Sequence, residues 1–587
     1  MSSPRSRYKL LKPAGQLAVI FLLAAPMLAQ NVPVKKRILD NGLRFLFLPR
    51  EGSPNITAGW VARVGSVNER PSITGIAHLF EHMMFKGTHV LGTRDIEKNL
   101  AIMAELDRVK EELDREQQLL TDKQRLGEAP NPPGEEDLTA RHKELLKELA
   151  RLTEEERKVL VKDEFDQIYT AAGASGMNAG TTHDFTIYFV NVPANKLELW
   201  FWMESDRLLN PVFREFYSER DVVREERRMR IESTPIGRFQ EEFDAMFWQS
   251  SPYGWPVIGW PSDIEAITRT EALAFYDIYY APNNLTACLV GDFDPGEAME
   301  FANRYFGRLK RGARPPPGIR TIEVPQVAEM RMKAYAETKP QTIIRYHTVA
   351  DGHVDDFALT LLGDILNGLT GRLYKSLVLD QKIANEGRAG QHSLKYEGYF
   401  ELAGVAKPGK TPEDVEEAIY LELKKLQDVP VAKRELQKVK NQRAADDFRK
   451  LRSNFSLMLQ LLIRDAYRGW KTINTDSPRL QAVTAEELQR VAKKYFAPEN
   501  RTVATYYTDE SAATEVDPLL KSLTEEQRTQ VRQVQASLLS AKPENLRKML
   551  TQMKQQADSV PEEQRSVFNT IQAIVERQLK GLEEGSK

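Results

Sequence analysis

Ile267–Thr286 reads ITRTEALAFYDIYYAPNNLT, and Val483–Thr502 reads VTAEELQRVAKKYFAPENRT. The two stretches lie 216 positions apart, and each runs from a helical pattern through an Ala-Pro-x-Asn turn into a strand. Proline ends each helix, because it has no N–H to donate and forces the residue before it into extended backbone. Two matched helix–turn–strand endings indicate a duplicated α+β domain.

Outward from the repeat, Gly312–Gly318 (GARPPPG) has the composition of a linker. It divides the chain into an N-terminal domain over 33–312 and a homologous C-terminal domain over 320–510. From Pro33 to about Val67 the sequence alternates like half-buried strands, with a turn at Asp40-Asn41-Gly42. A helical pattern follows from about Ser72 through Met83, and a strand is expected over Thr181–Asn191. Helical patterns recur over Asn195–Leu209 and from about Glu215 to Ile231.

Residues 101–164 change character. They contain no Phe, Tyr or Trp and hold 18 acidic against 12 basic side chains. Ile102, Leu106, Val109, Leu113 and Leu120 keep a three-to-four spacing, as do Leu138, Leu145, Leu149, Leu152 and Val159. Between these arms, Ala129-Pro130-Asn131-Pro132-Pro133-Gly134 cannot be crossed by a helix. The pattern predicts an antiparallel helical hairpin of coiled-coil type inserted into the first domain. The segment 511–587, charged and rich in Gln, is expected to be a helical extension.

The 587 residues are enough for three or four domains at about 150 residues each. With 82 basic against 84 acidic residues, the chain lacks the basic excess of a nucleic-acid binder. Cys288 is the only cysteine, which excludes an intrachain disulfide framework and a cysteine-based zinc site. At the N-terminus, Arg5, Arg7, Lys9 and Lys12 precede the apolar run Gln16–Ala29. This is the layout of a signal peptide over 1–29, so the protein is expected to be exported, either periplasmic or secreted. The alternative is an uncleaved N-terminal anchor; no other stretch approaches the roughly 18 apolar residues of a membrane span.

His78-Leu79-Phe80-Glu81-His82 carries the chemistry. In a helix, residues i and i+4 share a face, so both imidazoles can reach one cation. Zn²⁺ suits two neutral imidazoles, and Glu81 projects near the same edge, where it can take a proton from a water. A catalytic zinc site usually has three protein ligands. Candidate carboxylates cluster in Glu219-Arg220-Asp221-Val222-Val223-Arg224-Glu225-Glu226. Glu219 and Glu226 lie two turns apart on one face, and Glu225 is rotated by about 100°. By spacing alone, any of them can be a solvated helix charge.

With its lead-in Gly75-Ile76-Ala77 and sequel Met84-Phe85-Lys86-Gly87-Thr88, this motif resembles the inverted zinc motif of the pitrilysin/insulinase peptidases. The resemblance extends through Asn178-Ala179-Gly180-Thr181-Thr182, Asn210-Pro211, the Glu219/Glu226 helix and the duplicated turns, over roughly 33–510. It implies an α+β fold of two homologous α/β-sandwich domains forming half a clamshell. It also implies one zinc ion per chain held by His78, His82 and Glu226, with Glu219 as a supporting carboxylate. Glu81 is then the general base, and Asn178 and Ala179 match the edge strand that binds substrate. His82 and Glu226 are 144 positions apart, longer than usual for such proteins, and the hairpin accounts for the excess.

The expected function is an exported zinc endopeptidase acting on peptides or unfolded polypeptides. The alternative is a non-catalytic or scaffold subunit using the same fold for binding; degenerate subunits lose a His or the Glu, and here each is present. Related short chains need a second half-clamshell, whose second domain supplies from one helix an Arg and a Tyr seven residues later. Aligning Gly371-Arg372-Leu373-Tyr374 with the start of that helix puts Val378 and Asn385 at those places. Neither can donate comparably, which predicts a heterodimer with a paralogous subunit that lacks the zinc motif but carries the pair.

Overall fold

The computed structural model describes residues 31–131 and 133–509 and, in the C-terminal segment, 518–520, 523–538, 543–557 and 560–584. The expected signal segment and Pro132 of the hairpin turn lie outside the described residues. Among the described residues, no helix is long and apolar enough to cross a membrane.

Strands Lys35–Ile38 (β1), Arg44–Pro49 (β2) and Asn55–Ala62 (β3) lead to the helix Ile76–Met83 (α1). The long helices Ile96–Arg125 (α2) and Ala140–Val159 (α3) come next, then strands Ser175–Thr181 (β4) and Thr186–Pro193 (β5). Helices Phe216–Arg227 (α4), Gly237–Phe247 (α5) and Arg269–Tyr279 (α6) precede strand Leu285–Gly291 (β6). The sheet order is β1-β2-β6-β3-β5-β4, with β2 and β6 parallel and the other neighbours antiparallel.

The second half repeats the plan. Its strands are Met330–Ala336 (β7), Gln341–Thr348 (β8), Ala384–Ser393 (β9), Gly398–Ala406 (β10) and Arg501–Thr508 (β11). They form a sheet of order β7-β11-β8-β10-β9, again with one parallel pair, β7 with β11. Helices Asn454–Tyr467 (α7) and Ala485–Tyr495 (α8) belong to this half. The quoted repeat coincides with α6 into β6 and α8 into β11. Both helices start with the same capping box, Thr268 with Glu271 and Thr484 with Glu487. The Asn of each Ala-Pro-x-Asn turn holds its helix end: Asn284 Nδ2 donates to the Tyr279 carbonyl at 2.8 Å and Asn500 Nδ2 to that of Tyr495 at 2.9 Å.

The two halves exchange helices. On β2, Phe45 and Phe47 face the helices of their own half, whereas Leu46 and Leu48 face Leu457, Met458, Leu461 and Leu462 of α7. Conversely, Phe243 of α5 packs on Ala334, Ile343, Ala403, Ala504 and Tyr506 of the second sheet. The 216-residue offset carries Gly237–Phe247 onto 453–463, so the exchanged helices are the same element of the duplicated domain. A buried ion cluster accompanies α7. Asp465 Oδ2 accepts from Arg63 Nη2 at 2.5 Å, from Thr286 Oγ1 at 2.7 Å and from Arg44. The alternation expected for the first strands therefore fails at β2, which is buried on both faces. A division at residue 312 separates the sequence repeats but not the cores.

Three further expectations change. The single strand expected over 181–191 is the hairpin β4–β5, folded at 182–185 where the Thr182 N–H donates to the Phe185 carbonyl at 2.9 Å. The inserted hairpin starts earlier than 101, because Asp95 caps α2 through the Lys98 N–H at 3.0 Å. Its arms bury Leu106, Val109, Leu113, Leu120, Leu145 and Leu152. The helix aligned from Gly371 stops short: Tyr374–Asp380 is a π-helical turn and β9 begins at Ala384. Val378 and Asn385 thus lie on different elements, with the Asn385 amide donating to the Ala406 carbonyl at 3.2 Å. In the C-terminal segment, helices Glu525–Leu538 (α9), Pro543–Gln556 (α10) and Glu562–Glu584 (α11) share a small core around Val531, Leu546, Ile574 and Val575.

Candidate active site

Helix α1 starts where a tight approach demands glycine. Gly75 has φ 90°, and a Cβ there would run into the Ile258 carbonyl. The first free N–H groups, of Gly75 and Ala77, donate to Glu69 Oε2 at 2.9 Å and Oε1 at 2.8 Å, so a buried carboxylate caps the positive helix end. Leu79, Phe80 and Met83 face the core, and His78 and His82 share the edge turned to α4, with ring centroids 5.0 Å apart.

Helix α4 is fixed from behind. Arg220 donates to the Ile267 carbonyl at 3.2 Å, and Arg227 forms a two-pronged pair with Glu241 at 2.6 and 2.7 Å. That rotation presents Glu219 and Glu226 to α1. Glu226 Oε2 lies 3.4 Å from His82 Nε2 and 3.7 Å from His78 Nε2. The ligand atoms of these three residues lie within 4.8 Å of one another, a group that can hold a metal ion. Glu219 Oε2 stands 3.3 Å from His82 Nδ1. Glu225 points away, exposed, and accepts from Arg228 Nε at 3.0 Å.

Burial and the neighbouring His82 push His78 down to about 4, leaving it neutral. Burial also opposes charge on His82, but the neighbouring carboxylates of Glu219 and Glu226 outweigh it and raise His82 to about 9. Burial lifts the Glu81 carboxyl above its usual range, against the hydrogen bond from Thr181. That bond runs from Thr181 Oγ1 to Glu81 Oε2 at 2.7 Å and ties the last residue of β4 to α1.

Strand β4 is the outer edge of its sheet. Asn178 pairs with Phe189 and Ala179 with Tyr188. The Ala179 N–H is not spent on the ladder; it donates to Asn178 Oδ1 at 2.8 Å. Three neighbours escaped the reading of the sequence. Thr181 and Lys86 lie in stretches quoted above, but nothing in their spacing ties them to Glu81 or Glu219. Arg230 pairs with Glu226 Oε1 at 2.7 Å, an i,i+4 contact for which helix periodicity was the available signal.

The fold that carries this site has known counterparts. The profile of "Insulinase (Peptidase family M16)" matches residues 48–119, and that of "Peptidase M16 inactive domain" matches residues 266–443. Both profiles are those of the M16, or pitrilysin/insulinase, peptidases, which the chain resembles in both of its halves. The chain is 26% identical over 491 residues to the "Zinc protease PqqE" of Helicobacter pylori, covering 81% of this chain and 94% of that protein. The crystal structure of a protease from Helicobacter pylori superposes with a TM-score of 0.66 at 23% identity, covering 81% of this chain and 99% of that one. The periplasmic protease PqqL from Escherichia coli shares the fold with a TM-score of 0.59 at 17% identity, covering 85% of this chain and 49% of that one.

Proposed function

We propose that this chain is an exported zinc endopeptidase that hydrolyses peptides or unfolded polypeptides. The observation that carries the proposal is the convergence of His78, His82 and Glu226 beside Glu81. The donors fit zinc. Contacts of 3.4 and 3.7 Å are too long for good hydrogen bonds. They are close to the ~3.3–3.4 Å that separates two ligands each held about 2.0–2.1 Å from a tetrahedral ion. A two-His, one-Glu set leaves room for a water, and a carboxylate on the far nitrogen of His82 is the usual support of a zinc-bound imidazole. The names of the curated relatives as zinc proteases agree with this reading.

Zinc, when bound, supplies a Lewis acid that polarises the peptide carbonyl and acidifies a water. The remaining work belongs to side chains. Glu81 Oε2 is anchored by Thr181, so Oε1 is left to accept the proton of the attacking water and pass it to the departing amine. A substrate strand adds to the free edge of β4, where its carbonyl replaces Asn178 Oδ1 on the Ala179 N–H. Main-chain pairing of this kind tolerates many sequences. Val378 and Asn385 do not share a helix, but Val378 is apolar and the Asn385 amide is committed to Ala406, so neither aligned position offers a donor. We assign the opposing Arg and Tyr to a paralogous partner chain. Export to the periplasm or beyond rests on the N-terminal sequence.

Glu81→Gln should bind about one zinc per chain and lose roughly 10²–10⁴-fold in hydrolysis of an unfolded polypeptide. Glu226→Gln should lose zinc, while Glu225→Gln keeps it. Wild-type turnover in Glu81→Gln, or a wild type that binds no zinc, would sink the proposal. Full activity of the purified chain without a paralogue would remove the heterodimer.

A further inference from the structure

We infer that Lys86 is the positioning residue of the metal site, acting through Glu219 to hold His82 in its ligating orientation. This rests on the zinc reading above. Lys86 lies three residues beyond the end of α1 and its side chain is only 17% exposed. An ammonium taken out of water needs partners. It has two carboxylates: Glu219 Oε1, its closest contact, and Glu215 Oε2 at 3.4 Å. A cavity of about 60 Å³ lined by Phe85, Lys86, Glu164, Arg214 and Glu215 has room for the water that its third N–H requires.

Glu219 therefore divides its oxygens. Oε1 takes Lys86, and Oε2 takes His82 Nδ1 at 3.3 Å. A carboxylate held at both oxygens cannot turn about its last torsion, so the acceptor facing Nδ1 stays in place. An acceptor there puts the imidazole proton on Nδ1 and leaves the Nε2 lone pair facing Glu226 and His78. Without Lys86, Glu219 is an almost buried carboxylate with one partner and is free to swing off the ring.

Lys86 is itself held by the base of the inserted hairpin. Its carbonyl accepts from Arg214 Nη1 at 3.3 Å, and the same guanidinium donates to the carbonyls of Thr88 at 2.6 Å and Leu91 at 2.9 Å. Arg214 Nε completes the clamp on Asn99 Oδ1 of α2 at 2.6 Å. Glu215 keeps a left-handed backbone, φ 53°, with its N–H on Glu156 Oε1 of α3 at 3.3 Å. Both hairpin arms thus brace the loop that carries Lys86.

Two effects of removing Lys86 oppose each other. Loss of a positive charge should tighten binding of a cation, whereas loss of the Glu219 anchor should weaken it. The inference requires the second to win. Zinc affinity of the full chain is measured by chelator competition, with cobalt absorption as a report on ligand geometry. Lys86→Met should bind zinc about 10–100-fold more weakly and shift the cobalt bands. Lys86→Arg should restore binding to within a few-fold, and Glu215→Gln, which leaves the Lys86–Glu219 contact, should bind like wild type. Unchanged or tighter binding by Lys86→Met would overturn the inference. So would a loss that Lys86→Arg does not repair, or an equal loss in Glu215→Gln. If Lys86→Met does not fold, Glu219→Gln must show the same weakening, and wild-type affinity there overturns the inference. A wild type that binds no zinc overturns the peptidase reading itself and this inference with it.

Discussion

Asp465→Ala tests the helix exchange that joins the two halves. The Asp465 side chain is 1% exposed and faces the guanidinium groups of Arg63 and Arg44, 16% and 31% exposed. Its second oxygen accepts from the Trp470 N–H at 3.3 Å. Removing one member of a buried ion cluster leaves the others unpaired, at a cost of about 3–5 kcal/mol. If the halves melt as one unit of roughly 480 residues, the unfolding entropy is about 1 kcal/mol per degree, so Tm falls by about 3–5 °C. Independent melting would confine a shift about twice as large to one half. The assay is scanning calorimetry at a fixed scan rate, with limited proteolysis at residues 312–318. Asp465→Asn, which keeps hydrogen-bonding capacity towards Thr286 and Trp470 but not the charge, should fall between. A shift below about 1 °C, or no coupling in the Asp465→Ala/Arg63→Met double variant, would refute the idea that this cluster fastens the halves.

Asp355 offers a pH-dependent counterpart in the second half. Burial opposes its charge, but hydrogen bonds from Arg490 at 2.5 Å, Tyr495 at 2.8 Å and Lys494 at 3.0 Å hold its carboxyl well below its ordinary value of 3.8. The stabilisation is full above that value and is lost as pH falls below it, because the native state resists taking up the proton. Because Arg490 and Lys494 are half exposed, Asp355→Asn should cost only about 1–2 kcal/mol at pH 7, and its deficit in denaturant midpoint should shrink below pH 3.8; a deficit independent of pH would contradict this. Ala179→Pro removes the edge N–H of β4 and should raise KM several-fold with zinc content unchanged, whereas unchanged KM would place substrate elsewhere.

How much of the site the sequence carried depended on distance along the chain. His78, Glu81 and His82 were legible because one helical turn determines which side chains share a face. The same logic separated Glu225 from Glu226, since α4 turns Glu225 to solvent beside Arg228. It could not choose a ligand, because whether Glu226 meets α1 depends on Arg220 and Arg227 pinning the far side of α4 to the Ile267 and Gly259 carbonyls. Thr181 on Glu81 bridges 100 positions and Lys86 on Glu219 bridges 133, and periodicity is silent at such separations.

For the fold, the sequence by itself determined the duplication, the helix–turn–strand endings and the inserted hairpin. Each is written in short-range signals: capping boxes, a proline that ends a helix, a three-to-four apolar spacing. Only the tertiary structure decided that α5 and α7 cross to each other's sheets. A strand with Leu46 and Leu48 on one face and Phe45 and Phe47 on the other is apolar throughout, and nothing local says which helix covers which face. Leu46 shares its buried cluster with Met458 and Leu461, more than 400 residues away, and what brings them together is the burial of two faces at once when both halves are complete.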